Sequence, residues 1–193
     1  MDSHELDSYI NKTLGNRVQY IGIFTSDDVE KMRIHNDRDI PIVFIANTLR
    51  KSEDSSIMGH WVCFYIEKSP VNKVIYFDSY GLDPRFYCKG FELFILEHTQ
   101  FTIYNIGMQM QPLDSYKCGL YVIFFIHYTS LYSIRETLMK IEHTFSPNTQ
   151  SDNDRYVTRY FFKFISRKPC VPWRSNGKTA VTYRECLATR GNI

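Results

Sequence analysis

Cys118 stands at the mouth of an apolar stretch, Gln111 to Leu131, which reads QPLDSYKCGLYVIFFIHYTSL. Leu120, Tyr121, Val122, Ile123, Phe124, Phe125 and Ile126 follow Cys118 and Gly119 without a charge. The run is short of the about 20 apolar residues of a membrane span, and it suits a central helix buried on all sides. Pro112, Asp114 and Ser115 are turn and cap types, so the helix is expected to begin close to Cys118. There a thiol meets free backbone N–H groups and the positive end of the helix dipole, and both favour the thiolate nucleophile. A free cysteine more often only packs, so the chemistry depends on partners. A cysteine nucleophile needs a base, a carboxylate to hold the base's tautomer, and a donor aimed at the developing oxyanion. His60, Asp78 and Gln111 can fill those roles in that order. Each has an ordinary reading beside it: a strand-start histidine, a turn former before Ser79 and Gly81, and a loop amide.

The elements that must position these groups can be read from periodicity. Leu6, Ile10 and Leu14 recur at four-residue steps, which predicts a helix from His4 to Leu14 ending near Gly15. A polar, charged passage from Ser26 to Asp39 separates it from a first buried strand, Ile40 to Ala46, closed by Asn47. Pro41 near its start fits a first or edge position. After a polar loop from Lys51 to Ser56, His60–Ile66 and Val74–Asp78 read as two antiparallel strands about a turn centred at Ser69. That register opposes His60 to Asp78, with Cβ atoms about 5 Å apart, within reach of an imidazole–carboxylate hydrogen bond. A slip of one residue would turn Asp78 to the other face.

Further on, Asp83 and Pro84 open a helix over Arg85–His98, with Phe86, Leu93, Phe94 and Leu96 as its apolar stripe. Phe101–Asn105 reads as a strand. Ser133 and Glu136 form a capping box for a helix near Ile134–His143, and Ser151 with Asp154 fits another cap. The helix that follows, Arg155–Lys168, is two-faced: Val157, Phe161, Phe164 and Ile165 on one side, Arg155, Arg159, Lys163 and Arg167 on the other. The fold class expected is α+β, one domain, a mixed and mainly antiparallel sheet packed around the central helix, with further helices flanking it.

Composition sets the bounds. The 193 residues, with 14 Tyr and 14 Phe, suit one well-filled core rather than a disordered chain. The five cysteines, 63, 88, 118, 170 and 186, include no CxxC pair and no spacing that suits zinc. An odd, scattered set without a signal peptide points to a reducing, intracellular compartment and to no disulfides. The net charge is only +2, yet from Arg155 onward nine Lys/Arg face the single acid Glu185, so +8 at that end balances −6 in residues 1–154. Such asymmetry points to a polyanion contact, nucleic acid being the usual one; a solvated helix face is the plain alternative for the stripe.

Three segments, GHWVCFYIE from Gly59, VIYFDSYG from Val74 and QPLDSYKCGLYVIFF from Gln111, together resemble the adenovirus-type endopeptidase family, adenain. That family belongs to the cysteine-protease clan that also contains the ubiquitin-like-protein proteases. His60 and Trp61 supply the family's HW pair; Asp78, Tyr80 and Gly81 supply its acid–aromatic–glycine segment; Gln111 precedes Cys118 by its spacing of seven. Tyr20 to Phe24 and Ala46-Asn47-Thr48 are also similar. The likeness covers roughly residues 5 to 168 and is strongest from Gly59 to His127.

The resemblance implies His60 as base, Asp78 as orienting acid, Gln111 and the Cys118 backbone N–H as oxyanion donors, and Cys118 as nucleophile. It implies a protease domain over residues 1–168 with a basic extension over 169–193. The implied activity is cleavage of precursor virion proteins near glycine, in the virion and host nucleus, by a monomer that needs no cofactor for its chemistry. Double-stranded DNA, contacted through Arg155, Arg159, Lys163 and Arg167, and a viral peptide are the implied activators. Some positions depart from the family. The acid is Asp78 rather than the adenoviral glutamate; Lys117 stands where the cellular proteases usually carry aspartate; Gln100 falls where the adenoviral enzyme has the cysteine that tethers its peptide, leaving Cys88 as a substitute or a packed thiol. Two alternatives stay open: a protease for ubiquitin-like conjugates, and an inactive DNA-binding virion protein of the same fold.

Overall fold

A computed structural model describes residues 1–34, 39–53, 59–67, 73–99, 103–105 and 107–166, the backbone alone at 103–105. Arg167, Gln100 and the basic segment 169–193 lie outside the described residues. In chain order the elements are α1 (Ser3–Thr13), β1 (Gln19–Thr25), α2 (Ser26–Lys31), β2 (Ile42–Asn47), β3 (Trp61–Glu67), β4 (Lys73–Phe77), α3 (Pro84–Tyr87), α4 (Lys89–His98), β5 (Ile103–Asn105), α5 (Cys118–Leu131), α6 (Ile134–Phe145) and α7 (Gln150–Tyr160), which runs on into a π-helical turn over Phe161–Ile165.

The five strands form one sheet in the order β1-β2-β3-β4-β5. It is mixed: β3 runs antiparallel to both its neighbours, while β1 pairs parallel with β2 and β5 parallel with β4. Both faces are covered, which is why the three central strands read as nearly unbroken apolar runs. Val43, Ile45, Cys63, Tyr65, Ile75 and Phe77 face α5 with α1, α6 and α7 around it. Phe44, Phe64, Val74 and Tyr76 point the other way, onto Val29 of α2 and Phe91, Phe94 and Ile95 of α4. Stacked Phe44 and Phe64, 4.8 Å apart, both meet Phe94 edge-on, at 5.4 and 5.5 Å. α5 is buried around its whole circumference, from Cys118 and Tyr121 to Thr129 and Ser130. Its Phe125 stacks on Phe77 at 4.5 Å, which ties α5 to the end of β4.

Several expectations need correction. A strand, β1, precedes Ile40; its residues are mostly half-buried at the sheet edge, and the shift of register at Gly22 (φ 117°) breaks the alternation that would have announced it. The passage after it holds a helix, α2, capped by Thr25 with Asp28. β2 is an interior strand; Pro41 sits just before it, where its missing N–H breaks no ladder bond and its carbonyl accepts from Gln19 N–H at 2.8 Å. The predicted helix Arg85–His98 is broken at Cys88, whose φ of −160° is extended. Its buried stripe is Gly90, Phe91, Phe94 and Ile95, while Phe86, Leu93 and Leu96 are exposed. Gly90 allows α4 to lie on α2: a Cβ there would stand 2.8 Å from Glu30 Cβ. The cap of α7 is Thr149 with Asp152, not Ser151 with Asp154; Asp154 is buried and turned to other work.

Candidate active site

The strand register differs from expectation by two residues. Cys63 pairs with Phe77 where the sequence reading opposed it to Ile75. An even displacement keeps each side chain on its face, so His60 and Asp78, just outside the ends of β3 and β4, meet on the diagonal. His60 Nε2 lies 2.6 Å from Asp78 Oδ1. Thr48 fixes the histidine backbone from β2's end: its Oγ1 accepts from His60 N–H and its own N–H donates to the His60 carbonyl, both at 3.0 Å.

Asp78 is fully buried and fully satisfied. Beyond His60, Oδ1 accepts from Tyr80 N–H at 2.9 Å, and Oδ2 accepts from Leu82 N–H and the Tyr87 hydroxyl, each at 3.0 Å. The tyrosines do double duty. The ring of Tyr80 stacks on the His60 imidazole at 4.4 Å and that of Tyr87 at 5.5 Å, and aromatic faces favour the charged form of what they cover.

With Nε2 engaged, Nδ1 is the ring nitrogen left for another partner; it is buried and has no hydrogen-bond partner among the described residues. Cys118 opens α5 on the other wall of the same groove, about 760 Å³ in volume, whose lining includes His60, Trp61, Tyr80, Cys118 and Gly119. Thiol and imidazole act on each other. Burial opposes the charged ring, but the Asp78 carboxylate and the Cys118 sulfur outweigh it and carry His60 up to about 9. Burial likewise opposes the thiolate, and is outweighed by His60 and by the backbone N–H groups of Trp61 and Gly119, so the Cys118 pKa is lowered. The other two described cysteines, Cys63 and Cys88, are pushed up by burial instead.

Gly119 packs against Met1 and Trp61. A Cβ on it would lie 3.3 Å from Met1 Sδ and 3.6 Å from Trp61 Cδ1. The Trp61 indole N–H donates to the Met1 carbonyl at 3.4 Å.

Gln111 is fully buried and is not among the residues that line the groove. Its loop is held to the Asp78 turn: Met110 and Gln111 N–H both donate to the Ser79 carbonyl, at 2.9 and 3.0 Å. Gly81, at φ 70°, permits the approach, because a Cβ there would stand 2.6 Å from the Met108 carbonyl carbon. The Gln111 side chain accepts from Ser79 Oγ at 2.6 Å and donates to the Ser115 carbonyl at 2.8 Å and to the Tyr80 hydroxyl at 3.4 Å. Both amide hydrogens are therefore engaged, the second by a long bond.

Arg155, Arg159 and Lys163 are exposed along α7 and its π-helical continuation, and none of them lines the groove. Arg155 pairs with Asp152, and Lys163 lies 5.1 Å from the Phe164 ring centroid. Among the described residues no group of three or more His, Cys, Asp or Glu is placed to hold a metal ion, and no helix is long and apolar enough to cross a membrane. Sequence reasoning gave no role to Tyr87 or Ser79, and it marked Ser115 and Asp154 only as turn and cap residues. Tyr80 was marked only as part of a motif. Nothing in their local spacing could have found the others, because each acts across 9 to 39 residues of chain.

No protein-family model and no curated protein sequence matches the chain. Solved structures do. The ASFV pS273R protease, in its Se-Met crystal structure, is 13% identical with a TM-score of 0.52, over 87% of this chain and 68% of that one. A second crystal structure of the ASFV pS273R protease is 17% identical at 0.38, over 63% of this chain and 54% of that one. The central domain of the uncharacterized Lpg1148 protein from Legionella pneumophila is 13% identical at 0.45, over 82% and 97%. This chain thus spans between about half and two thirds of the length of the ASFV protein it matches. At such identity the first of these comparisons shows that this chain and the ASFV pS273R protease share a fold.

Proposed function

We propose that this protein is a viral cysteine endopeptidase that cuts precursor virion proteins next to glycine. The observation that carries the reading is the buried 2.6 Å His60–Asp78 pair in one groove with Cys118 at a helix N-terminus, with the thiol pKa lowered and the imidazole pKa raised. That combination poises a thiolate–imidazolium pair, the form in which a cysteine attacks an amide.

The Cys118 thiolate adds to the peptide carbonyl carbon. The negative charge that moves to the carbonyl oxygen is met by the backbone N–H of Cys118, free of intrahelical partners at the start of α5. Gln111 supplies the second donor by exchanging its 3.4 Å bond to the Tyr80 hydroxyl for one to the oxyanion. His60 gives its proton to the leaving amine, the C–N bond breaks, and a thioester remains. His60, now neutral, takes a proton from water as that water attacks the thioester, and the acid product leaves with the thiolate restored. Asp78 holds the ring's tautomer throughout. Trp61 and Met1 are bulky members of the lining beside Cys118 and Gly119, and a substrate residue without a side chain passes them most easily.

Lys117 before the nucleophile favours the viral branch over the cellular proteases. Double-stranded DNA is the partner we propose for the exposed cations of α7. The test is cleavage of a glycine-containing precursor peptide, compared with Cys118→Ala. Loss of cleavage in the variant supports the assignment and equal rates sink it. Turnover of a ubiquitin-like C-terminal ester with no cleavage of precursors redirects it to ubiquitin-like conjugates.

A further inference from the structure

We propose that Asp154 is a positioning residue for the oxyanion site, a buried carboxylate on α7 that clamps the loop between Gln111 and Cys118. The inference rests on the reading of Cys118 as an acyl-transfer nucleophile. Asp154 is only 8% exposed. Its Oδ2 accepts from Ser115 Oγ at 2.6 Å and lies 3.8 Å from Lys117 Nζ, and its Oδ1 accepts from the Tyr121 hydroxyl at 2.9 Å. These partners straddle the nucleophile: Ser115 and Lys117 precede it, and Tyr121 lies one turn after it.

The clamp continues inward. The Ser115 carbonyl receives the Gln111 amide at 2.8 Å and the Tyr80 hydroxyl at 2.9 Å, so the carboxylate reaches the oxyanion amide through one serine. Lys117 N–H also lies 3.3 Å from Ser115 Oγ, which fixes the peptide that leads into Cys118. The other end of the loop is held from α7 and α5: Asn153 Nδ2 donates to the Met110 carbonyl at 3.1 Å, and the Tyr121 hydroxyl lies 3.2 Å from that carbonyl. Burying a carboxylate is costly unless it is paired and hydrogen-bonded. Here its partners all belong to the segment that bears the reacting groups. Among the described residues the Asp154 carboxylate makes no hydrogen bond or ion pair to His60 or Asp78, so it governs where the oxyanion donors stand and not the ionisation of the thiol. An error of about 1 Å in such placement costs about 100-fold in rate.

The experiment uses the full chain with Asp154→Asn, Asp154→Ala, Ser115→Ala and the Asp154→Ala/Ser115→Ala double variant. Three quantities are read: kcat and KM on a glycine-containing peptide amide, the pH profile of Cys118 alkylation by iodoacetamide, and amide hydrogen exchange over residues 110–118. The expected result is a kcat about 10- to 100-fold lower in Asp154→Ala, a smaller loss in Asp154→Asn, KM within about threefold, and an unmoved alkylation midpoint. Exchange over 110–118 rises at least about tenfold while the β3 amides keep their protection. The double variant is no worse than the poorer single one, because both break the same link. A kcat in Asp154→Ala within about twofold of wild type, or unchanged exchange, overturns the proposal. So does an alkylation midpoint that shifts together with loss of β3 protection, since that is general unfolding. Where Asp154→Ala fails to fold, Ser115→Ala decides alone. A wild-type chain that cleaves no peptide refutes the protease reading instead, and hydrogen exchange then decides whether Asp154 holds the loop.

Discussion

Four donors converge on the Asp78 carboxylate: the His60 ring, two backbone N–H groups and the Tyr87 hydroxyl. An amide cannot satisfy them all. In Asp78→Asn the side-chain NH2 would face a donor where Oδ2 now accepts from Leu82 N–H, leaving a buried clash of donors worth about 1 to 3 kcal/mol. The expected outcome is that destabilisation in urea titration, with turnover down by about 100-fold or more as the histidine loses its orienting anion. The pH dependence follows from the two shifts. Cys118, lowered, gains its anion as pH rises through a value below that of an ordinary thiol, so iodoacetamide should reach it well before Cys63 or Cys88. His60, raised to about 9, keeps the proton it must donate until pH climbs through that value. Turnover should therefore rise with thiolate formation and fall above about 9, whereas alkylation should rise and stay high. Coincident profiles for the two reactions would mean that His60 is not the proton donor.

At the scale of elements, the groove exists because three connections stop where they do. β3 begins one residue after His60, β4 ends one residue before Asp78, and α5 begins at Cys118 itself. The Phe77–Phe125 stack sets α5 against β4 at the end that carries Asp78, and Trp61 against Gly119 sets it against β3 at the end that carries His60. The turn at Gly81 joins this frame to the Gln111 loop. Gly81→Ala would force a side chain into a left-handed backbone, 2.6 Å from Met108. We expect it to cost about 1 to 3 kcal/mol in chemical denaturation and to reduce kcat more than KM; an unchanged denaturation midpoint would show that the turn can relax. Phe125→Ala is expected to cost about 3 to 5 kcal/mol, read the same way.

At the scale of the molecule, the proposed DNA contact rests on exposed cations outside the groove. Arg155 already has Asp152 as a partner, so Arg159 and Lys163 should carry more of the contact. Replacing these two with Gln is expected to lessen the salt dependence of DNA binding by about 2 in the slope of log K against log salt. A slope equal to wild type would clear α7 of that role. The fold leaves the catalytic prediction separable from this one, since none of the three described cations lines the groove.

What could be read from the chain alone was whatever is local or periodic. The apolar run after Cys118 announced a helix buried all round, and the Ser133–Glu136 box announced α6. The alternation from His60 to Asp78 put those two groups on one sheet face even with the register misjudged by two, because side chains on a strand repeat every second residue. Only the tertiary structure could decide the rest. The edge strand β1 has too little burial and too irregular a register to leave a pattern, and the extended backbone at Cys88 that parts α3 from α4 has no turn residue to announce it. Asp154 looked like a helix cap from its neighbours, yet it spends its carboxylate on Ser115 and Tyr121, more than 30 residues away. A sequence records which groups a segment offers; which of them find a partner is settled by the folded distances, and those are set by every other segment at once.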